Sequence, residues 1–143
     1  MEAVRLDAIE MTRNRFAEDA FPQHLGISLL ELAPGYAKVS LRLQPHMLNF
    51  HGIAHGGAIF TLSDTAFGLA SNSHGDPAVA VSMTINFLAP AHAGTTLVAT
   101  AREEHRTRRT GVYTIKVEDD QGRMIALVQG TVYRKPQPGH LQP

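Results

Sequence analysis

The chain has no cysteine, so disulfides, thiolate metal sites and a cysteine nucleophile are all excluded. It has no excess charge either. Its 13 basic residues balance 13 acidic ones, and no overall field recruits nucleic acid or an anionic membrane. No stretch approaches the ~20 apolar residues of a membrane-spanning helix. The opening MEAVRLDAIEMTRNRF mixes charged and apolar residues and lacks the unbroken apolar core of a secretory signal. A cytoplasmic protein is the expectation. Repeats and internal boundaries are missing too, and 143 residues at 43% hydrophobic content suit one domain with a sizeable core, spanning 1–134.

What is present divides into strand-like pieces around one helix. Val4 to Ala20 predicts an amphipathic helix that stops near Phe21-Pro22, since the residue before proline avoids helical geometry. Ile27–Ala33 and Tyr36–Leu43 predict two strands joined at Pro34-Gly35. Ala37, Val39, Leu41 and Leu43 alternate with polar residues, as in a half-buried antiparallel strand. A long loop, Pro45 to Gly57, precedes a helix that runs to about Ser73. Four further strands follow at Ala78–Leu88, Thr95–Thr107, Gly111–Glu118 and Arg123–Arg134, expected as hairpin or meander neighbours. The tail, 135–143, is expected to be disordered. The class is α+β, with one antiparallel sheet curled around one helix.

That helix is apolar on most of its circumference, through Ala58, Ile59, Phe60, Leu62, Ala66, Phe67, Leu69 and Ala70. It should be buried, which makes its single acid, Asp64, costly unless paired or used. Phe60 and Phe67, one turn to either side, are expected to desolvate the carboxyl and raise its pKa. Such a group can serve as general base or nucleophile. The Gly56-Gly57 pair leaves the first N–H groups of the helix open to a carbonyl oxygen or oxyanion. Eight residues separate Gly56 from Asp64, about 12 Å of helix at ~1.5 Å per residue. The two therefore cannot act on one carbonyl from the same helix. Two antiparallel copies would bring each Asp64 to the other's Gly56, so a shared site lies between subunits.

His46, His51 and His55 match no common zinc spacing, and no metal is expected. His55 can orient the turn or donate to substrate, and Asn49 offers both a donor and an acceptor. Arg106, Arg108 and Arg109 form a cationic cluster suited to phosphate oxygens.

Asn49, then His55-Gly56-Gly57, then Asp64 in LSDTAF, with SMTINFLAPAHAG beyond, resembles the hotdog-fold acyl-CoA thioesterases over about Phe21 to Arg134. Within them it is most similar to the bacterial phenylacetyl-CoA thioesterases of phenylacetate degradation. The resemblance implies a hotdog fold, a dimer assembling to a homotetramer, and hydrolysis of an aryl- or acyl-CoA. It implies no cofactor, coenzyme A being part of the substrate. Asp64 would be nucleophile or base, the Gly56 N–H would polarise the carbonyl across the dimer, and Asn49 and His55 would position carbonyl or water. Gly57, Phe50, Arg106, Arg108 and Arg109 are the candidate substrate contacts. Two alternatives share the fold: an acyl-thioester hydratase or dehydratase, and a non-catalytic acyl-CoA-binding module. The hydratase pattern wants a histidine five residues after the acid, where this chain has Leu69.

Overall fold

The computed structural model of the chain describes residues 2–135, with side chains from Ala8 onward. Of the expected tail only Lys135 is among them, its N–H donating to the Pro77 carbonyl at 2.8 Å; the rest of that expectation lies outside the described residues. The N-terminal helix is two helices, α1 (Glu2–Ala17) and α2 (Ala20–Leu25). Pro22 does not end a helix as expected but sits in the first turn of α2, behind the N-cap Asp19. A first-turn proline is tolerated because its missing N–H would have no intrahelical acceptor. Gly26 closes α2 at φ 84°, a left-handed position that glycine takes without steric cost.

Six strands form one sheet: β1 (Ser28–Ala33), β2 (Tyr36–Arg42), β3 (Ala78–Phe87), β4 (Thr96–Arg106), β5 (Thr110–Glu118) and β6 (Met124–Arg134), in the order β1-β2-β4-β5-β6-β3. All neighbouring pairs are antiparallel. The expected meander holds for β4-β5-β6 and fails for β3, which pairs with β6 at the far edge. The reason is the central helix α3 (Gly56–Asn72), which carries the chain across the sheet before β3 begins. The return from β3 to β4 runs along one end of the sheet. It is pinned by Leu88 N–H to Ile125, Ala54 N–H to Ala91 and Gly94 N–H to Leu43, each 2.8 Å.

The core lies between the sheet's concave face and α3. Ala37, Val39 and Leu41 of β2, Leu97, Ala99 and Ala101 of β4, and Tyr113, Ile115 and Val117 of β5 alternate inward and are buried. Ile59, Leu62, Ala66, Phe67 and Ala70 of α3 meet them. Full burial of a side chain the size of Ile59, Leu62 or Phe67 stabilises by about 1.5–3 kcal/mol. The helix is not buried on all sides, however. Gly57, Phe60 and Asp64 form an exposed outer stripe, because the sheet covers one side and α1 and α2 cover only part of the other.

Candidate active site

The long loop expected between β2 and α3 is mostly ordered. It contains a 3-10 turn at Pro45–Met47, and a bridge between Leu48 and Ala54 closes a small hairpin. Asn49 holds that hairpin: its Oδ1 accepts from the N–H of His51 at 2.9 Å and of Ile53 at 3.3 Å. The acceptor expected to face substrate is therefore already engaged. The amide nitrogen of Asn49 has no acceptor among the described residues and is the atom left to donate. Phe50 lies at the hairpin tip, 94% exposed, with its ring against that of His51 at 4.2 Å between centroids.

His55 is the N-cap of α3, and its Nδ1 accepts from the Gly57 N–H at 2.9 Å. An Nδ1 that accepts carries no proton, so the ring's proton sits on Nε2 and can be donated outward. Gly57 leaves room for this cap: a Cβ there would stand 3.1 Å from that nitrogen, and the ring would have to give by a few tenths of an ångström. The N–H groups of Ala58 and Ile59 both go to the His55 carbonyl. Of the first four helical N–H groups, only that of Gly56 has no acceptor among the described residues. It is also nearest the positive end of the helix dipole.

Asp64 lies two turns further along, on the outer stripe. It keeps exposed surface in the single chain, yet enough protein surrounds it to raise its carboxyl. Partial burial is the main cause, and the negative charge of Asp19 adds to it. Of the two flanking aromatics expected to do this, Phe60 shares the outer stripe with Asp64 and Phe67 does not. Phe67 turns into the core, edge-on to Tyr113 at 5.6 Å, and Phe60 is 38% exposed. The two chemical groups of α3 thus face outward about 12 Å apart along the axis.

The arginine cluster sits elsewhere. Arg106, Arg108 and Arg109 are exposed at the β4–β5 turn, Arg106 beside Glu103 at 3.7 Å and Arg109 donating to the Tyr133 hydroxyl at 3.0 Å. That turn is fixed over the C-terminal end of α3 by the buried Arg134, whose guanidinium reaches the Thr107, Thr110 and Ser71 carbonyls. The structure does not bring the cluster to Gly56 of the same chain, which begins the opposite end of the helix. Among the described residues no group of three or more His, Asp or Glu is placed to hold a metal.

Two features were not foreseen. Phe87, at the end of β3, lies over Gly56: a Cβ on that glycine would stand 3.3 Å from the ring's Cζ. Its residue stands in the sequence motif SMTINFL, but nothing there says that the strand crosses to the far edge. The second is a polar network beneath the sheet's other end. The Glu103 carboxylate accepts from the Tyr113 hydroxyl at 2.7 Å and meets His74 Nε2 at 2.8 Å, and Arg134 lies 3.4 Å from the same hydroxyl. The Glu103 carboxyl is drawn below its ordinary value, because these hydrogen bonds and the nearby cations outweigh its burial. Burial lowers His74, and burial with the Glu103 charge raises Tyr113.

A curved antiparallel sheet around one helix, with an N–H at the helix start and an acid on its outer stripe, is the architecture of a hotdog thioesterase. The chain belongs to the thioesterase superfamily, whose family profile matches residues 51–126. It is 43% identical to the acyl-coenzyme A thioesterase PaaI of Escherichia coli over 83% of this chain and 85% of that one. The solved E. coli PaaI structure, described as from the phenylacetic acid degradation operon, superposes with a TM-score of 0.87. That match has 40% identity and covers 90% of this chain and 94% of that chain. A Streptococcus mutans protein solved bound to acetyl-CoA matches with a TM-score of 0.74 and 32% identity, over 76% of this chain and 88% of that one. The expected α+β hotdog fold and the thioesterase kinship are both borne out.

Proposed function

We propose that this protein hydrolyses the thioester of an acyl- or aryl-CoA, of phenylacetyl-CoA type, to the free acid and CoA. The observation that carries the reading is the division of α3: one free N–H at its start and one outward carboxylate two turns on. The names of the relatives and the acetyl-CoA bound to a structural neighbour support the substrate class.

In this reading the thioester oxygen accepts from the Gly56 N–H of one protomer, where the helix dipole stabilises the charge that develops. Asp64 of its partner attacks the carbonyl carbon or takes a proton from the attacking water. If Asp64 activates water, the water oxygen adds to the carbonyl carbon and C–S cleavage gives the acid directly; if Asp64 attacks, C–S cleavage gives a mixed anhydride with Asp64, which water hydrolyses to the acid and the free carboxylate. On both routes the thiolate leaves and takes up a proton. His55 Nε2 and the Asn49 amide nitrogen are the donors that orient carbonyl or water. Gly57 serves the cap, and Phe50 and the Arg106–Arg108–Arg109 cluster remain candidate contacts for the CoA portion.

A homodimer, assembling further to a tetramer, fits two features. β3 is a ten-residue edge strand with Val79 and Val81 exposed at 61% and 63%, the kind of edge that needs covering. It also runs to Phe87, over Gly56. Among the described residues no helix is long and apolar enough to cross a membrane, and a cytoplasmic location fits that.

Thiol release from a panel of acyl- and aryl-CoAs tests the activity. Asp64→Asn is expected to lose about 10²–10⁴-fold in rate, and near-full hydrolysis by that variant would sink the mechanism. Gly56→Pro removes the one N–H at a helix position that accepts proline. Mixed dimers of Gly56→Pro with Asp64→Asn should recover activity that neither homodimer has.

A further inference from the structure

One irregularity aims the end of β3 at the start of α3. Ala78 and Ala80 stand opposite Arg134 and Val132 of β6, and the register then shifts between Ala80 and Ser82. Beyond that bulge Met83, Ile85 and Phe87 stand opposite Gly130, Val128 and Ala126, which belong to the buried face of β6. Side chains alternate along a strand, so the one extra residue, Val81, transfers the inward row of β3 from even to odd positions. Met83 and Ile85 pack against the core. Phe87 is the next of that row. Without the bulge its ring would point to the other face of the sheet.

The ring ends on Gly56. Outside α3 and the adjoining residues, the heavy atoms nearest the Cβ position of Gly56 are Phe87 Cζ, Cε1 and Cε2, at 3.3, 3.4 and 3.9 Å. A side chain at position 56 would push the ring away by a few tenths of an ångström, and glycine lets it lie this low. The two parts are held in step by the backbone. The Leu88 and Ala89 N–H groups both donate to the Ile125 carbonyl, at 2.8 and 3.3 Å, which fixes the end of β3. The Ala54 N–H donates to the Ala91 carbonyl at 2.8 Å, tying the approach to Gly56 to the chain just after Phe87. The residues on either side of Gly56, His55 and Gly57, are exposed.

We propose that Phe87 is a positioning residue for the reaction: its ring keeps water off the Gly56 N–H, so that this donor meets the developing oxyanion in apolar surroundings. The inference rests on the thioesterase reading above. A hydrogen bond to an oxyanion strengthens as the local dielectric falls. A preorganised donor that water does not occupy also has nothing to shed when the carbonyl arrives. Gly56 is half-buried rather than sealed, so a carbonyl oxygen can still reach it. The bulge at Val81, seven strand positions from the chemistry by sequence from Ser82 to Leu88, thereby becomes part of the site, because it decides which way the ring faces.

The test uses the full chain and two readouts. Amide hydrogen exchange at Gly56, followed by NMR after nitrogen-15 glycine labelling, reports water access with no substrate present. Phe87→Ala should speed exchange at Gly56 at least fivefold, while Gly57, whose N–H is held by His55, should change less than twofold. With phenylacetyl-CoA, Phe87→Ala should lower kcat about tenfold, a part of the 10²–10³ lost with a whole oxyanion donor, and leave KM within threefold. Phe87→Met, apolar and of similar reach, should return both readouts most of the way to wild type. Unchanged Gly56 exchange in Phe87→Ala overturns the proposal, as does a loss carried by KM with kcat intact. Equal losses in Phe87→Met and Phe87→Ala, or exchange rising alike at Gly56 and Gly57, also overturn it, since they mark general loosening. A wild type that hydrolyses no aryl- or acyl-CoA removes the thioesterase reading and the positioning role with it, whereas Gly56 exchange still reports whether the ring shields the donor.

Discussion

Replacing Gly130 with alanine should destabilise this protein, although glycine-to-alanine in a strand ordinarily helps. The ordinary gain is about 0.5–1 kcal/mol from the less flexible unfolded chain. At Gly130 the new Cβ would lie 2.6, 2.7 and 3.0 Å from Cζ, Cε2 and Cε1 of Phe67. Carbon atoms rest at about 3.5–4.0 Å, so the ring must retreat by roughly 1 Å. It has nowhere to go. Phe67 is 1% exposed, its edge meets Tyr113 at 5.6 Å, and the Tyr113 hydroxyl is held by Glu103 at 2.7 Å. Overpacking of this kind costs about 1–3 kcal/mol, which outweighs the gain. Urea unfolding at fixed protein concentration should show a lower midpoint with unchanged slope. Adding Phe67→Leu should recover part of the loss, because the methyl then fills space that the ring has left, and the double-mutant cycle would show that coupling. A midpoint for Gly130→Ala equal to or above wild type would refute the reasoning.

Asp19→Asn should move the acid limb of kcat/KM to lower pH. Activity needs ionised Asp64 and falls as pH drops through its raised pKa, and removing a like charge lowers that pKa; a limb that stays put or rises counts against the geometry. Tyr113→Phe takes away the hydroxyl shared by Glu103 and Arg134 and should cost about 1–3 kcal/mol at neutral pH by thermal or chemical unfolding. Because Glu103 is held below its ordinary 4.5, its contribution is present above that pH and lost as pH falls through the lower folded value. The gap between wild type and Tyr113→Phe should narrow there, and a constant gap would remove Glu103 from the explanation. His55→Ala deletes the cap on the Gly57 N–H and should lower stability by about 1 kcal/mol together with activity; an unchanged unfolding midpoint would show that the cap contributes nothing.

Much of this could be read from residue order, for identifiable reasons. The alternation in β2 and the apolar face of α3 depend on local periods, and they predict the core residues Val39, Leu41, Leu62 and Ala66 correctly. Gly56, Gly57 and His55 were legible because a helix start has a fixed set of unpaired N–H groups. Long-range choices were hidden. That β3 leaves β4 for β6 depends on where α3 delivers the chain, and this alone brings Phe87 over Gly56. Asp64 was expected inside a fully buried helix, but a sheet can cover only one side, and the acid occupies the other. The Glu103–Tyr113–Arg134 network joins three strands and has no signature in any one of them.

The helical spacing from Gly56 to Asp64 also constrains which changes in chain length the protein can absorb. Each residue turns the helix by about 100°. Deleting one residue from this interval would rotate the acid back to where Ser63 now lies, at 0% exposure against the core. Inserting one would carry it round to the position of Thr65, half-buried, where the hydroxyl now donates to the Thr61 carbonyl. Neither register leaves a carboxylate on the outer stripe, so seven intervening residues behave as a quantised unit, whatever their identities. Length variation is far more easily absorbed in the hairpin tip around Phe50 or in the turn at Asp119–Gly122. In engineering this scaffold, the interval should be treated as fixed punctuation, and the segments outside it as editable text.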